Sequence, residues 1–205
     1  AWAGGDVIYY LQGNGTSNFS RYSISGDSWS TSASTPEGGV RRGGNCLVWP
    51  GAGDFLYAAK GDNSTSFWRY RVSTDEWSVL DDFPAAYNMG NNLCWDGDDG
   101  ILVTLADLSF WRYDIGDAEW NPLSNFPGTM IQEGAWVSLY GQTHIFATEG
   151  DESDLLWVYT LASDSWNVGP NLPESAAPGA ALVSDDITVY ARTGGGSTSF
   201  WKLVP

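Results

Sequence analysis

One histidine, two cysteines and 25 acidic residues bound the chemistry open to this chain. His144 stands alone in an apolar run, so Ser-His-Asp catalysis and histidine-rich copper or zinc sites lack their parts. Carboxylates abound, but no two stand out as the acid and base that a glycosidase needs. The best hard-oxygen cluster is Asp96-Gly97-Asp98-Asp99-Gly100, where Asp96, Asp98 and Asp99 share one tight turn. Such donors suit Ca2+, although EF-hand spacing is absent and a solvated turn explains the same residues. Cys46 and Cys94 sit before aligned tryptophans; a disulfide or two free, buried thiols both fit that placement, and free thiols are the simpler reading. Arg21, Arg69 and Arg112 recur in register and read either as a carboxylate-binding set or, more simply, as ion-pair partners of the repeated Asp27, Asp75 and Asp164. Asn14, Asn18 and Asn63 each open an N-x-S/T acceptor pattern, which in an exported protein marks an exposed loop. A Ser/Thr-rich chain also yields such patterns by accident.

The surroundings of these groups exclude several classes. Nine basic residues against 25 acidic ones give a formal net charge of −16. A field of that sign repels phosphate backbones and anionic membrane surfaces, and leaves cations, neutral ligands and other proteins as partners. Hydrophobic residues make up 42% of the 205 positions and aromatics 15%, too apolar for disorder and enough for a core without disulfides or metal. No apolar run approaches the roughly 18 residues of a membrane-crossing helix. The Ala-Trp-Ala-Gly-Gly start carries no charged leader and reads as a mature or excised segment. Asp outnumbers Glu by 18 to 7 and lysine occurs only at Lys60 and Lys202, a balance similar to that of secreted proteins from salty habitats. An extracellular or cell-surface location is the expectation.

The elements that position these residues come from a repeat. Tyr22, Trp29 and Pro36 are spaced seven and seven apart, and so are Tyr70, Trp77 and Pro84, then Tyr113, Trp120 and Pro127, then Tyr159, Trp166 and Pro173. Phe19, Phe67, Phe110 and Leu156 lie three residues before each tyrosine, and Ser199-Phe200-Trp201-Lys202-Leu203 overlays Ser66-Phe67-Trp68-Arg69-Tyr70 as the start of a fifth unit. Gly13, Gly61, Gly150 and Gly194 stand nine residues before the tyrosine or its Leu203 equivalent. Between the markers, short apolar or β-branched runs such as Val7 to Leu11, Phe55 to Ala59, Ile101 to Leu105, His144 to Thr148 and Ile187 to Ala191 are bounded by Gly, Asp or Asn. The pattern is four strands per repeat, with helix content near zero.

Four-stranded units of this length, repeated radially, predict a β-propeller. A glycine pair closing the second strand, a tyrosine on the third and a tryptophan beyond it resemble the kelch repeat over essentially the whole chain. The pair is complete at Gly194-Gly195; elsewhere it reads Gly13-Asn14, Gly61-Asp62 and Gly150-Asp151, and Asn and Asp tolerate the same positive φ. The expected architecture is all-β: one five-bladed, kelch-like propeller domain over 1–205, with repeats at about 1–40, 41–88, 89–131, 132–177 and 178–205 and incomplete terminal blades. Trp2 aligns with Trp49 and Trp95 as the remnant of the first inner strand, and the fifth unit stops after its third strand. The chain is then a piece of a longer one, or closes with two short blades, or receives a strand from a partner. An open edge bearing Phe200, Trp201 and Leu203 invites such a strand. The Tyr and Trp frames read as core between blades, since blades bury both faces.

The functional expectation is therefore an extracellular, non-catalytic structural or binding module that contacts other copies of itself or another extracellular protein, assembling into a filament or surface layer by strand complementation at Phe200, Trp201, Leu203 and Trp2. The alternative is a lectin for neutral glycans, and a propeller enzyme ranks third. No cofactor is expected, Ca2+ at Asp96, Asp98 and Asp99 excepted.

Overall fold

The computed structural model describes residues 1–40, 47–88, 91–129, 136–141, 143–150, 152–185 and 187–203. Short strands bounded by tight turns form five small antiparallel sheets. The first holds β1 (Val7–Leu11), β2 (Phe19–Ser23) and β3 (Ser28–Ser32). The second holds β4 (Leu47–Val48), β5 (Phe55–Ala59), β6 (Phe67–Arg71) and β7 (Glu76–Val79). The third holds β8 (Leu93–Trp95), β9 (Gly100–Thr104), β10 (Phe110–Asp114) and β11 (Glu119–Leu123). The fourth holds β12 (Trp136–Tyr140), β13 (His144–Thr148), β14 (Leu156–Thr160) and β15 (Ser165–Val168). The fifth holds β16 (Ala181–Ser184), β17 (Val189–Arg192) and β18 (Phe200–Leu203). Every sheet is an up-and-down meander, and β4, β8, β12 and β16 neighbour one another in chain order, so the sheets stack side by side as in a propeller. A single 3-10 turn at Leu161–Ser163 is the sole helical element among the described residues, and no helix there is long and apolar enough to cross a membrane.

The turns explain the glycine-led pairs. Gly13 and Asn14 have φ of 69° and 51°, Gly61 and Asp62 have 74° and 54°, and Gly194 and Gly195 have 75° and 60°. Two successive left-handed residues reverse the chain between the second and third strands, and Asn or Asp takes the second position at little cost. Glycine is obligatory at Gly194, where a Cβ would lie 2.5 Å from the Ala177 carbonyl oxygen and from the Ala180 nitrogen. The third repeat, whose loop is shorter, makes its reversal with Leu108 at φ 68°.

Cross-strand register puts each tyrosine opposite its tryptophan: Tyr22 faces Trp29, Tyr70 faces Trp77, Tyr113 faces Trp120 and Tyr159 faces Trp166. These pairs meet the ring contributed by the preceding sheet. Phe19 lies 4.8 Å from Tyr70 and 5.0 Å from Trp77, Phe67 lies 5.0 Å from Tyr113 and 5.1 Å from Trp120, and Phe110 lies 4.9 Å from Tyr159 and 5.2 Å from Trp166, centroid to centroid. Offset and edge-to-face contacts at these separations are favourable beyond their buried area. The fourth and fifth sheets join through a mixed cluster, with Phe146, Leu156, Leu182 and Val189 buried and Trp201 and Leu203 packed against them. The expected core role thus holds for the tyrosines and tryptophans of the second, third and fourth repeats. Trp29 departs from it, being 60% exposed, because the only described rings against it, Tyr10 and Tyr22, belong to its own sheet.

Candidate functional site

Between the third and fourth sheets lies a cleft of about 420 Å³ lined by Asp96, Asp98, Leu102 and Arg112 on one side and by Thr143, Tyr159 and Leu161 on the other. The turn before β9 and the turns flanking β14 bring these residues together. Asp96 is buried; its Oδ1 accepts the backbone N–H groups of Asp98 at 2.9 Å and Gly100 at 3.0 Å, which fixes the tight turn. Its Oδ2 accepts from Arg112 Nε at 2.7 Å, while Arg112 also pairs with Asp99 and, at 3.0 Å, with Asp114. Gly100 is part of the arrangement, since a Cβ there would collide with both Asp96 Oδ2 and Arg112. Burial alone would lower the guanidinium's pKa, but the three carboxylates more than offset it and raise it. The cation held between Asp96 and Asp99 is therefore Arg112, and the backbone carbonyl of the exposed Asp98 accepts from the Trp95 indole at 2.7 Å. No group of three His, Cys, Asp or Glu side chains among the described residues is gathered to hold a metal ion. Three carboxylates on one guanidinium, with Asp98 also lining the cleft, leave its rim negative, which favours neutral hydroxyl-bearing or cationic ligands over anions.

The three in-register arginines separate. Arg112 takes the carboxylate cluster, Arg69 lies 4.3 Å over the Phe55 ring, and Arg21 donates to Ser30 Oγ at 3.1 Å. The ion pairs expected with Asp27, Asp75 and Asp164 do not form, because those aspartates serve another purpose. Each has a left-handed φ, 43°, 55° and 45°, at the turn before the tryptophan strand, and each accepts the hydroxyl of its own sheet's tyrosine, at 2.5 Å from Tyr22 and 2.7 Å from Tyr70 and Tyr159. Asp75 further accepts the Ala33 N–H at 2.9 Å and Asp164 the Ser124 N–H at 2.8 Å, both from the preceding sheet. The neighbouring indole completes the clamp: Trp77 Nε1 donates to the Ala33 carbonyl and Trp166 Nε1 to the Ser124 carbonyl, each at 2.9 Å. In the third repeat Ala118 replaces the aspartate, and the corresponding indole bond from Trp120 to the Asp81 carbonyl stretches to 3.4 Å. The Ala33 N–H bond, then the Tyr70 hydroxyl, hold Asp75 below the usual carboxylate range. Burial, then the Asp75 carboxylate, push the Tyr70 phenol up.

At the far end of the stack, β18 pairs with β17 through Val189–Leu203, Tyr190–Lys202, Ala191–Trp201 and Arg192–Phe200, and no described strand pairs with its other side. Phe200 is 68% exposed and stacks on Tyr190 at 5.7 Å, while Trp201 and Leu203 are half-buried. Trp2 lies at the start of the first sheet, 59% exposed, bridged to Ile8, with its indole closing a turn on the Gly5 carbonyl just as Trp95 does on Asp98. Asn14, Asn18 and Asn63 are all exposed, Asn14 and Asn63 inside the left-handed reversals. Cys94 is a free, buried thiol that burial pushes up to about 12; Cys46 lies outside the described residues. His144 begins β13 and meets the Thr143 hydroxyl at 2.8 Å.

No family model matches the chain, and no curated protein matches it. A solved structure described as "Structure of YjhT" superposes with a TM-score of 0.70 at 13% identity, covering 91% of this chain and 69% of that one. At that identity the likeness speaks to the propeller-like fold alone.

Proposed function

We propose that the chain is a kelch-like, five-bladed propeller acting outside the cell as a non-catalytic assembly module, in which the fifth blade gains its outer strand from another copy or from an extracellular protein. The observation that carries this reading is the outer edge of β18, which pairs with no other described strand, with Phe200 68% exposed beside it. An open row of backbone donors and acceptors beside an exposed aromatic is a template for strand addition. The net charge of −16 opposes contact between copies, so screening favours it. Sedimentation velocity over a range of protein and salt concentrations tests this: particles larger than a monomer grow with both. A single monomeric species throughout, or assembly that weakens steadily as salt rises, overturns it.

A second reading rests on the cleft between the third and fourth sheets, whose volume and mixed lining suit a neutral saccharide. Free Arg112 N–H groups and the exposed Asp98 carboxylate offer complementary partners for sugar hydroxyls. Binding on a glycan array that free sugar abolishes and Asp98→Ala weakens supports it; an array without signal removes it.

A further inference from the structure

The clamp between neighbouring sheets is built twice around an aspartate and once without it. Where the first sheet meets the second, the Asp75 carboxylate accepts the Tyr70 hydroxyl and the Ala33 N–H; where the third meets the fourth, Asp164 accepts the Tyr159 hydroxyl and the Ser124 N–H. Where the second meets the third, the same turn carries Ala118, with φ of 58° against 55° and 45°. The backbone is alike and only the carboxylate is missing. The donors it would serve are present: the Tyr113 hydroxyl and the Asp81 N–H, which stand where Tyr70 and Ala33 do, donate to no described residue.

The same joint holds an unmatched cation. Arg69 lies 4.3 Å over the Phe55 ring, has no ion pair among the described residues, and buries its Nε without an acceptor. Arg112, its counterpart one sheet on, meets three carboxylates. Pro50 follows Trp49 where Asp96 follows Trp95, Arg71 stands where Asp114 does, and Asp54 is taken by Arg71. Tyr57 and Tyr113 lie 6.1 Å apart at this joint; burial pushes both phenols up, and the Arg69 charge works against that at each. A buried charge costs stability unless it is paired, so a guanidinium, a phenol and an amide that all lack acceptors form a cradle for an anion.

We propose that this joint binds a small free carboxylate, of formate or acetate size, in the place of the aspartate side chain, where it accepts from the Tyr113 hydroxyl and the Asp81 N–H and pairs with Arg69. Ala118 is exposed, so the ligand enters from solvent. The Asp81 and Asp114 charges, which also reach Tyr113, oppose it and keep the affinity modest. Binding ties the second sheet to the third. The Trp120 indole, 3.4 Å from the Asp81 carbonyl against 2.9 Å for its two counterparts, closes toward that shorter distance.

Thermal melting in sodium acetate against sodium chloride, at equal ionic strength and neutral pH, tests the site. Acetate at about tenfold over its dissociation constant should raise Tm by about 3 °C or more. Ala118→Asp supplies the carboxylate from the chain, so it should melt higher in chloride and lose the acetate response. Ala118→Gly relieves the positive φ without filling the cradle and should keep that response. Tyr113→Phe and Arg69→Gln should each lose most of it. Broadening of the methyl resonance of 13C-labelled acetate by the unmodified protein, and its absence with Ala118→Asp, reads binding directly if a variant melts too low to compare. An equal rise in the unmodified protein and in Ala118→Asp is a general salt effect and overturns the proposal. So does the lack of any rise, or a full response that survives in both Tyr113→Phe and Arg69→Gln.

Discussion

The interior joints and the terminal faces use the same residues to different effect. At the joint between the second and third sheets, Phe67 is fully buried among Tyr57, Phe83, Tyr113 and Trp120, whereas its counterpart Phe200 touches Tyr190 and solvent. Trp77 is half-buried and clamps Ala33, whereas Trp29, with the same frame around it, projects into water. What separates them is the neighbour. Each sheet's core is completed by the sheet beside it, as that of Phe67 is by Tyr113 and Trp120.

This contrast can be broken at several points. Phe67→Ala removes a ring that touches four others and should cost about 3–5 kcal/mol, lowering Tm by about 2–4 °C per kcal/mol, while Phe200→Ala, measured in dilute protein, should stay within about 0.5 kcal/mol. Equal losses in calorimetry would mean that the end units are as tightly packed as the middle. Asp75→Asn keeps a residue suited to positive φ but removes the charged acceptor of the Ala33 N–H and the Tyr70 hydroxyl, at about 1–3 kcal/mol; Asp27→Asn, whose carboxylate holds only the exposed Tyr22 hydroxyl, should cost about 0.5 or less. Trp77→Phe deletes one indole donor from a half-buried carbonyl for about 1 kcal/mol, and Trp29→Phe deletes none.

Acid sharpens the same comparison. Asp75 and Asp164 have pKa values held below their ordinary 3.8. For Asp75 the Ala33 N–H leads. For Asp164 burial pushes the other way, and the Tyr159 hydroxyl and the Ser124 N–H prevail. A carboxylate with a lowered folded-state pKa stabilises the fold above its unfolded value, and that contribution is lost as pH falls toward and below it. Urea midpoints should therefore drop from about pH 5 downward. The Asp75→Asn/Asp164→Asn double variant should flatten that drop, and an unchanged slope would remove these clamps from the acid response.

Much of the architecture was legible because a spacing of seven and seven follows from strand, turn and strand geometry. The same marks could not show exposure: the frame around Trp29 is identical to that around Trp77, and only the arrangement in space reveals that Phe19 of another sheet packs on Trp77 while Trp29 is 60% exposed. The aspartates misled for a related reason. Arg21, Arg69 and Arg112 and Asp27, Asp75 and Asp164 repeat together, and opposite charges in register suggest pairing, yet the aspartates are fixed by a left-handed turn and a tyrosine hydroxyl within their own sheet. The spacing from each tyrosine to the aspartate five residues on was the available signal. The Arg112 cluster draws partners from 16, 13 and 2 residues away, and only the meander of β8, β9 and β10 brings them to one guanidinium.

The central claim is that neighbouring sheets are joined by a phenylalanine seated on the next sheet's Tyr–Trp pair. A double-mutant cycle between Phe67→Ala and Tyr113→Ala, read by urea unfolding, tests it most directly. The two losses should couple by about 0.5–1.5 kcal/mol across the 5.0 Å ring contact. Losses that simply add would contradict it.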